Sequence, residues 1–455
     1  MSTATLDAET LADLVRVSAH PDFPTWQRQI RRTGGCAAPI HLRGWSKILD
    51  RQTRQVLHAF TTDTQPGGVL RLACGNRRAT RCPACARRYA ADSYHLIRAG
   101  LVGDARKGIR EQVRDHPRAF VTLTAPSFGP VHNRPASGQC RCGALHAEGD
   151  RVLGEPLDPE RYDYVGAVLW NNHAGELWNR FVVQLGREIA TRAGLPRTRL
   201  REVLRVSYAK VAEYQKRGAV HFHAVIRLDG PEGADDTPPD WATLDLLTDT
   251  VRIAVERARV PIPASGPYPA RVMVWGRQVD IRPIRAFGDG SELTEQAVAS
   301  YVAKYATKAA ETTGTVDRPI GNREALDLLD VPAHARRLIE TCLDLHAAYP
   351  ERRLRAWAHM LGFRGHFSSK SRRYSVTLTS IREERAAFRE AEQRDALDLP
   401  APGDGDTTLT LAHWTYAGQG HTPGESVFAA TIARDLEESR RLAREERTAS
   451  EGEAH

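Results

Sequence analysis

The sequence predicts an α+β protein, and three observations carry that reading. Two alternating runs, 203–213 and 219–228, flank the turn residues Lys216, Arg217 and Gly218, the signature of a β-hairpin. Leu169, Leu177, Trp178, Phe181 and Val182 give the stretch around 170–193 the apolar face of a helix. A further helical pattern opens at Thr294, where Thr294, Glu295 and Gln296 supply capping chemistry. The chain has 455 residues, 41% of them hydrophobic and 7% aromatic, enough to build real cores and to exclude wholesale disorder. A mean hydropathy of −0.46, with no apolar run approaching ~18 residues, excludes a membrane-spanning helix. The N-terminus has acidic residues and no cationic-then-apolar signal pattern, so a cytoplasmic protein is expected.

The elements follow in order. Residues 1–25 read as an amphipathic helix, and 26–115 as a basic, cysteine-bearing region with helical spacing in its latter part. The run Ala119-Phe120-Val121-Thr122-Leu123-Thr124 is strand-like and stops at Ala125-Pro126. A Gly- and Pro-broken loop at 130–150 precedes the helix around 170–193 and the hairpin. After a Pro-rich segment at 230–239, the pattern predicts a helix over 241–257, a strand over 271–281 and the helix from Thr294. Residues 311–390 read as a helical C-terminal lobe, and 391–455 as a linker (its Gly-, Asp-, Thr- and Pro-rich core at 397–424) and a charged terminal helix.

Charge is concentrated. The net charge is +8, but residues 31–120 hold 18 Lys or Arg against 6 Asp or Glu, a local +12 that leaves −4 for the rest. Such a block suits a polyanion, most commonly a phosphate backbone. Only 7 of the 64 basic residues are Lys, and Arg is the side chain suited to bidentate phosphate and base contacts.

The cysteines cluster as well. Cys82 and Cys85 form a C-x2-C pair with Cys74 eight residues upstream, a spacing from which thiolates can reach one tetrahedral zinc ion, with Cys36 as the natural fourth ligand. A second group, His132, Cys140, Cys142 and His146, offers four zinc-type ligands within one loop, at a spacing that fits no common finger. Cys342 reads as a buried apolar residue.

On a strand, His221 and His223 project from one face, about 6–7 Å apart along the chain. Glu213, across the hairpin turn, can add a carboxylate, and two imidazoles with one carboxylate suit Mg²⁺ or Mn²⁺ with positions open to phosphate oxygens. On a helix, Tyr301, Lys304, Tyr305 and Lys308 share one stripe. A phenol beside a cation and a metal can act as a nucleophile on phosphate.

In order along the chain, Phe120-Val121-Thr122-Leu123-Thr124, His221-Phe222-His223 and Tyr301-Val302-Ala303-Lys304-Tyr305 with Lys308 resemble the HUH endonuclease superfamily, specifically rolling-circle replication initiators. The tyrosines four apart resemble the two-tyrosine class typified by the gene A proteins of isometric single-stranded DNA phages. The Cys74–Tyr89 block and LGFRGHFSSKSRRYS at 361–375 resemble the RepSA-type initiators of actinobacterial plasmids and integrative elements.

The resemblance implies an HUH-nuclease domain over 116–310, with a central antiparallel sheet, helices on one side and the two histidines on a middle strand. A zinc-binding basic region at 26–115 and a helical DNA-binding lobe at 311–390 would flank it. It implies His221 and His223 as metal ligands, with Glu213 third and Gln215 its rival by spacing. Tyr301 and Tyr305 are implied as nucleophiles and Lys304 and Lys308 as their lysines, while Thr122 and Thr124 belong to a structural strand. The implied reaction nicks one strand at an origin, in a single-stranded or cruciform region, leaving a 5′-phosphotyrosine link and a 3′-OH primer. With no Walker A motif in the chain, unwinding falls to a host helicase and synthesis to a host DNA polymerase. The rival readings are a conjugative relaxase, whose tyrosine would precede its histidines, and a non-enzymatic zinc-containing DNA-binding regulator.

Overall fold

A computed structural model describes residues 6–284, 294–307, 313–316, 318–397, 399 and 407–452. The chain begins with α1 (Ala8–Ser18) and α2 (Phe23–Thr33), then β1 (Ile40–Asp50), β2 (Val56–Thr61), β3 (Leu70–Leu72) and α3 (Pro83–Val102). Next come β4 (Arg118–Leu123), α4 (Tyr164–Arg192), the short α5 (Leu200–Val203), β5 (Arg205–Tyr214), β6 (Val220–Asp229) and α6 (Leu244–Arg257). Then follow β7 (Val260–Ile262), β8 (Arg271–Met273), β9 (Val279–Pro283), α7 (Glu295–Tyr305), α8 (Arg323–Asp327) and α9 (Ala333–Ala348). The chain closes with β10 (Ser368–Lys370), α10 (Leu378–Ala396), β11 (Thr408–Gln419) and α11 (Pro423–Gly452). No helix among the described residues is long and apolar enough to cross a membrane.

The chain forms two compact units. One joins Met1–Asp92 to Leu378–His455. Its sheet is antiparallel and centred on β1, which pairs β11 from Ile40↔Gln419 to Asp50↔Thr408 and pairs β2 and β3 on its other edge. Trp26 and Ile30 of α2 are buried against Ala429 and Ile432 of α11. Two expectations are corrected here. The single helix over 1–25 is two helices, because Pro21 disfavours helical geometry at His20 and the next helix starts after Asp22. The linker expected across 397–424 contains β11, whose Thr408-Leu409-Thr410-Leu411 opening has strand periodicity and whose partner lies at the opposite end of the chain.

The other unit is Ser93–Thr377. Its five-stranded antiparallel sheet runs β10-β5-β6-β4-β9, with β6 in the middle. Ala119, Val121, Leu123, Phe222, Ala224 and Ile226 bury one face against a core that includes Trp170, Trp178 and Phe181 of α4 and Val251 of α6. Asn171, two turns into α4, donates Nδ2 to the carbonyls of Gly218 and Leu361 and accepts from the Val220 amide, clamping the hairpin turn to the helix. That turn requires glycine: Gly218 has φ +75°, and a Cβ there would lie 2.6 Å from Leu338.

The helices were expected on one side of this sheet, but α7 lies over the face opposite to α4, carrying Tyr301 to His223. Two buried arginines hold that face. Arg118 pairs Glu295 in the first turn of α7 at 2.6 Å and donates to the Leu101 carbonyl. Arg227 pairs Asp229 at 2.5 Å, and Asp229 also meets His116 at 2.8 Å. The strand expected over 271–281 splits into β8 and β9, because Gly276 turns against Thr124, its amide donating to the Thr124 carbonyl at 2.8 Å.

Candidate metal and tyrosine centre

Antiparallel register places Glu213 directly opposite His221, and Val211 opposite His223. The period of two then puts Glu213, His221 and His223 on one face. His221 Nε2 and His223 Nε2 lie 3.1 and 3.2 Å from Glu213 Oε2, and 3.0 Å from each other. Donors about 2.1 Å from a Mg²⁺ or Mn²⁺ ion and mutually cis would sit about 3.0 Å apart, so the three residues fit one face of such a coordination sphere. Gln215, the rival third ligand, follows the end of β5 and accepts from Arg217 Nε at 2.9 Å.

The electrostatics agree with a cation site. Burial works to raise the Glu213 carboxyl, but hydrogen bonds from His221 and His223 bring it down to about 2. Burial pulls His223 below the ordinary imidazole value, favouring the neutral form a metal binds. The Thr122 hydroxyl, paired across the sheet with His223, sits 3.0 Å from its Nδ1 and so leaves Nε2 toward Glu213. Phe120 stacks on the same ring at 5.8 Å and 3°. Sequence reasoning assigned this strand to structure alone. The alternation gives Phe120 and Thr122 the face opposite to Ala119, Val121 and Leu123, but only the register with β6 shows that this face carries His223. Asp280 also faces this row, opposite Thr122 on β9, and was missed.

Thr294 caps α7, its hydroxyl accepting from the Ala297 amide at 3.2 Å. The helix brings both tyrosines to the centre. Tyr301 Oη is 3.1 Å from His223 Nε2, and the Tyr305 ring lies 5.9 Å from the His223 ring and 4.5 Å from that of Tyr301. Lys304 is exposed, with Nζ 5.6 Å from the Tyr305 ring; Lys308 lies outside the described residues. A cation beside Tyr305 would by itself favour its phenolate. Instead burial, and after it the Glu213 charge, raise both phenols, Tyr301 further than Tyr305. A bound cation would oppose that effect by neutralising Glu213.

Cys36, Cys74, Cys82 and Cys85 converge in the other unit. Sγ separations are 3.6 Å for Cys74–Cys85 and 3.7 Å for Cys36 with Cys82 and with Cys85. A zinc tetrahedron with Zn–S near 2.3 Å has edges of about 3.8 Å, so the donor set fits. Amides of Ala37 and Cys74 donate to Cys82 and Cys36 Sγ, each at 3.3 Å. The loop after α2, the end of β3 and the start of α3 supply the ligands; Gly35 permits the first, since a Cβ there would meet Ala433 at 2.6 Å. Ligand atoms of His132, Cys140, Cys142 and His146 also lie within 4.8 Å of one another. Cys342 is buried on α9 in the apolar core.

Comparisons with known proteins complete this description. The family model for RepSA, described as replication initiator protein, pSAM2, matches residues 22–434. A replication initiator protein of Streptomyces ambofaciens is 63% identical over 447 residues, covering 98% of this chain and 97% of the relative. No solved structure matches the chain.

Proposed function

The chain belongs to the RepSA family of replication initiators, and from that premise we propose that it is an HUH-type endonuclease that starts rolling-circle replication by nicking origin DNA with a tyrosine. The single observation carrying this reading is the approach of Tyr301 Oη to within 3.1 Å of His223 Nε2, on the sheet face that also carries His221 and Glu213. Glu213, His221 and His223 would hold Mg²⁺ or Mn²⁺, which when bound supplies positive charge to the scissile phosphate. Thr122 keeps the His223 ring oriented, and Glu295, held by Arg118, fixes α7 so that the phenols face the phosphate.

Tyr305, less enclosed than Tyr301 and beside Lys304, attacks phosphorus first. Its oxygen forms the phosphotyrosine bond as the bond from phosphorus to the 3′ oxygen breaks; the phenol's proton passes to water, and the departing 3′ oxygen takes one from water to become the primer hydroxyl. Tyr301 serves a second strand transfer that ends the round. Lys304 and Lys308 offset the charge gathering on the phosphate. A host helicase and DNA polymerase extend the primer in the cytoplasm. Zinc at Cys36, Cys74, Cys82 and Cys85 serves folding, since four thiolates leave no position for substrate.

Cleavage of a labelled origin oligonucleotide by Tyr301→Phe and Tyr305→Phe, with mapping of the DNA-linked peptide, tests this. Tyr305→Phe is expected to lose the first cleavage. Wild-type cleavage by the double variant Tyr301→Phe/Tyr305→Phe would sink the nuclease reading, and a DNA-linked Tyr301 in wild type would reverse the order.

A further inference from the structure

Between β4 and α4, residues 124–163 contain no regular helix or strand, only a bridge from Val131 to Pro156. Apolar packing does little for the outer part of this loop; Leu145 is 77% exposed. What converges there is polar. His146 Nε2 lies 3.3 Å from both His132 Nδ1 and Cys142 Sγ, and Cys140 is buried with its Sγ accepting from the Asn133 amide at 3.4 Å. Asp150 takes the other nitrogen of His146, Nδ1, at 2.7 Å. A carboxylate on the outer nitrogen is the arrangement that orients a metal-binding imidazole, and two thiols with two imidazoles form a zinc donor set.

The same loop walls a cleft of about 760 Å³. Its lining includes Arg134, Arg141, Lys216, Arg217 and Asn133, against one carboxylate, Glu148. Lys216 belongs to the turn between Glu213 and His221, and its Nζ donates to the Glu148 carbonyl at 2.9 Å, tying the loop to that turn. A cleft of this size admits a few nucleotides of one strand, not a duplex.

We propose that His132, Cys140, Cys142 and His146 bind a structural zinc ion oriented through Asp150, and that this ion sets the wall of a cationic cleft that grips single-stranded DNA beside the nicking centre. The DNA half rests on the nuclease reading; the metal half does not.

The full chain is tested, with zinc and a fluorescein-labelled oligodeoxythymidine of about 16 nucleotides as probes. Cys140→Ser/Cys142→Ser is expected to carry one zinc ion per chain fewer than wild type, and unchanged zinc would overturn the site. Should that variant misfold, Asp150→Asn decides by chelator competition. Zinc retention there should weaken about 10–100-fold, and wild-type retention refutes the proposal. Arg134→Ala/Arg141→Ala should keep its zinc, bind the oligonucleotide about tenfold more weakly and lower the salt slope by about 1.4, at about 0.7 per phosphate contact. Unchanged affinity and slope, or a loss confined to duplex DNA, would remove the cleft's role. These readouts need no nicking, so failure of the nuclease reading would show separately in the tyrosine variants.

Discussion

The thiolate cluster and the His–Glu centre solve opposite problems with the same kind of geometry. Cys36, Cys74, Cys82 and Cys85 come from three separated pieces of chain, stand 3.6–3.7 Å apart along the measured edges and accept backbone N–H groups. Four soft donors close the sphere, so an ion there can only cross-link. Glu213, His221 and His223 come from one hairpin, number three, and are faced by two phenols rather than a fourth ligand. On the proposed function the difference separates folding from chemistry: a closed soft set would hold chain together, and an open, harder set would admit phosphate.

Breaking each centre alone gives the sharpest contrast. His223→Ala should reduce nicking at least about 10³-fold, because lost transition-state charge stabilisation is costly, while zinc content and duplex binding stay at wild-type levels. A single-turnover nicking assay beside metal analysis reads both. Cys82→Ser should do the reverse. It should lose zinc, and limited proteolysis should then attack Met1–Asp92 and Leu378–His455 while Ser93–Thr377 resists, since structural zinc contributes about 10–16 kcal/mol of binding free energy to the folded state. Equal protection of both units would end the distinction.

A gentler change sharpens it. Thr122→Val keeps the side-chain shape and removes the hydroxyl on His223 Nδ1. Metal activation should shift to roughly 10–100-fold higher Mn²⁺, with the rate recovering at saturation; an unshifted curve would make Thr122 purely structural.

The smallest effect concerns acid. Burial tends to raise Glu425, but the His421 ring, its Nδ1 3.7 Å from the carboxylate, the Thr422 amide at 3.1 Å and the Arg71 charge depress it to about 2 from 4.5. A depressed carboxylate contributes stability that is full above about pH 4.5 and is lost as pH falls toward 2. Glu425→Gln should therefore lower melting temperature near neutrality and flatten the decline between pH 4.5 and 2, measured by thermal melts across that range. Parallel curves for wild type and variant would show that Glu425 is not depressed in the folded state.

Much of this was local and therefore legible. A period of two aligns His221 with His223, a short turn returns Glu213 beside them, and helical spacing puts Tyr301 and Tyr305 one turn apart. The C-x2-C pair and the four ligands of the 132–146 loop are close enough in sequence to read directly. What the chain alone could not reveal depends on surfaces meeting from far away. β11 pairs β1 across more than 350 residues, so a Thr- and Leu-rich segment resembled a linker until its partner strand was in place. Phe120 and Thr122 became part of the site only through the β4–β6 register, and Asp150 only through the fold of its loop. The tyrosine helix reaches the histidine face because Arg118, buried under it, pairs with Glu295. Backbone periodicity fixes where a side chain points along its own element; which face meets which is decided by burial and pairing that only the assembled structure contains.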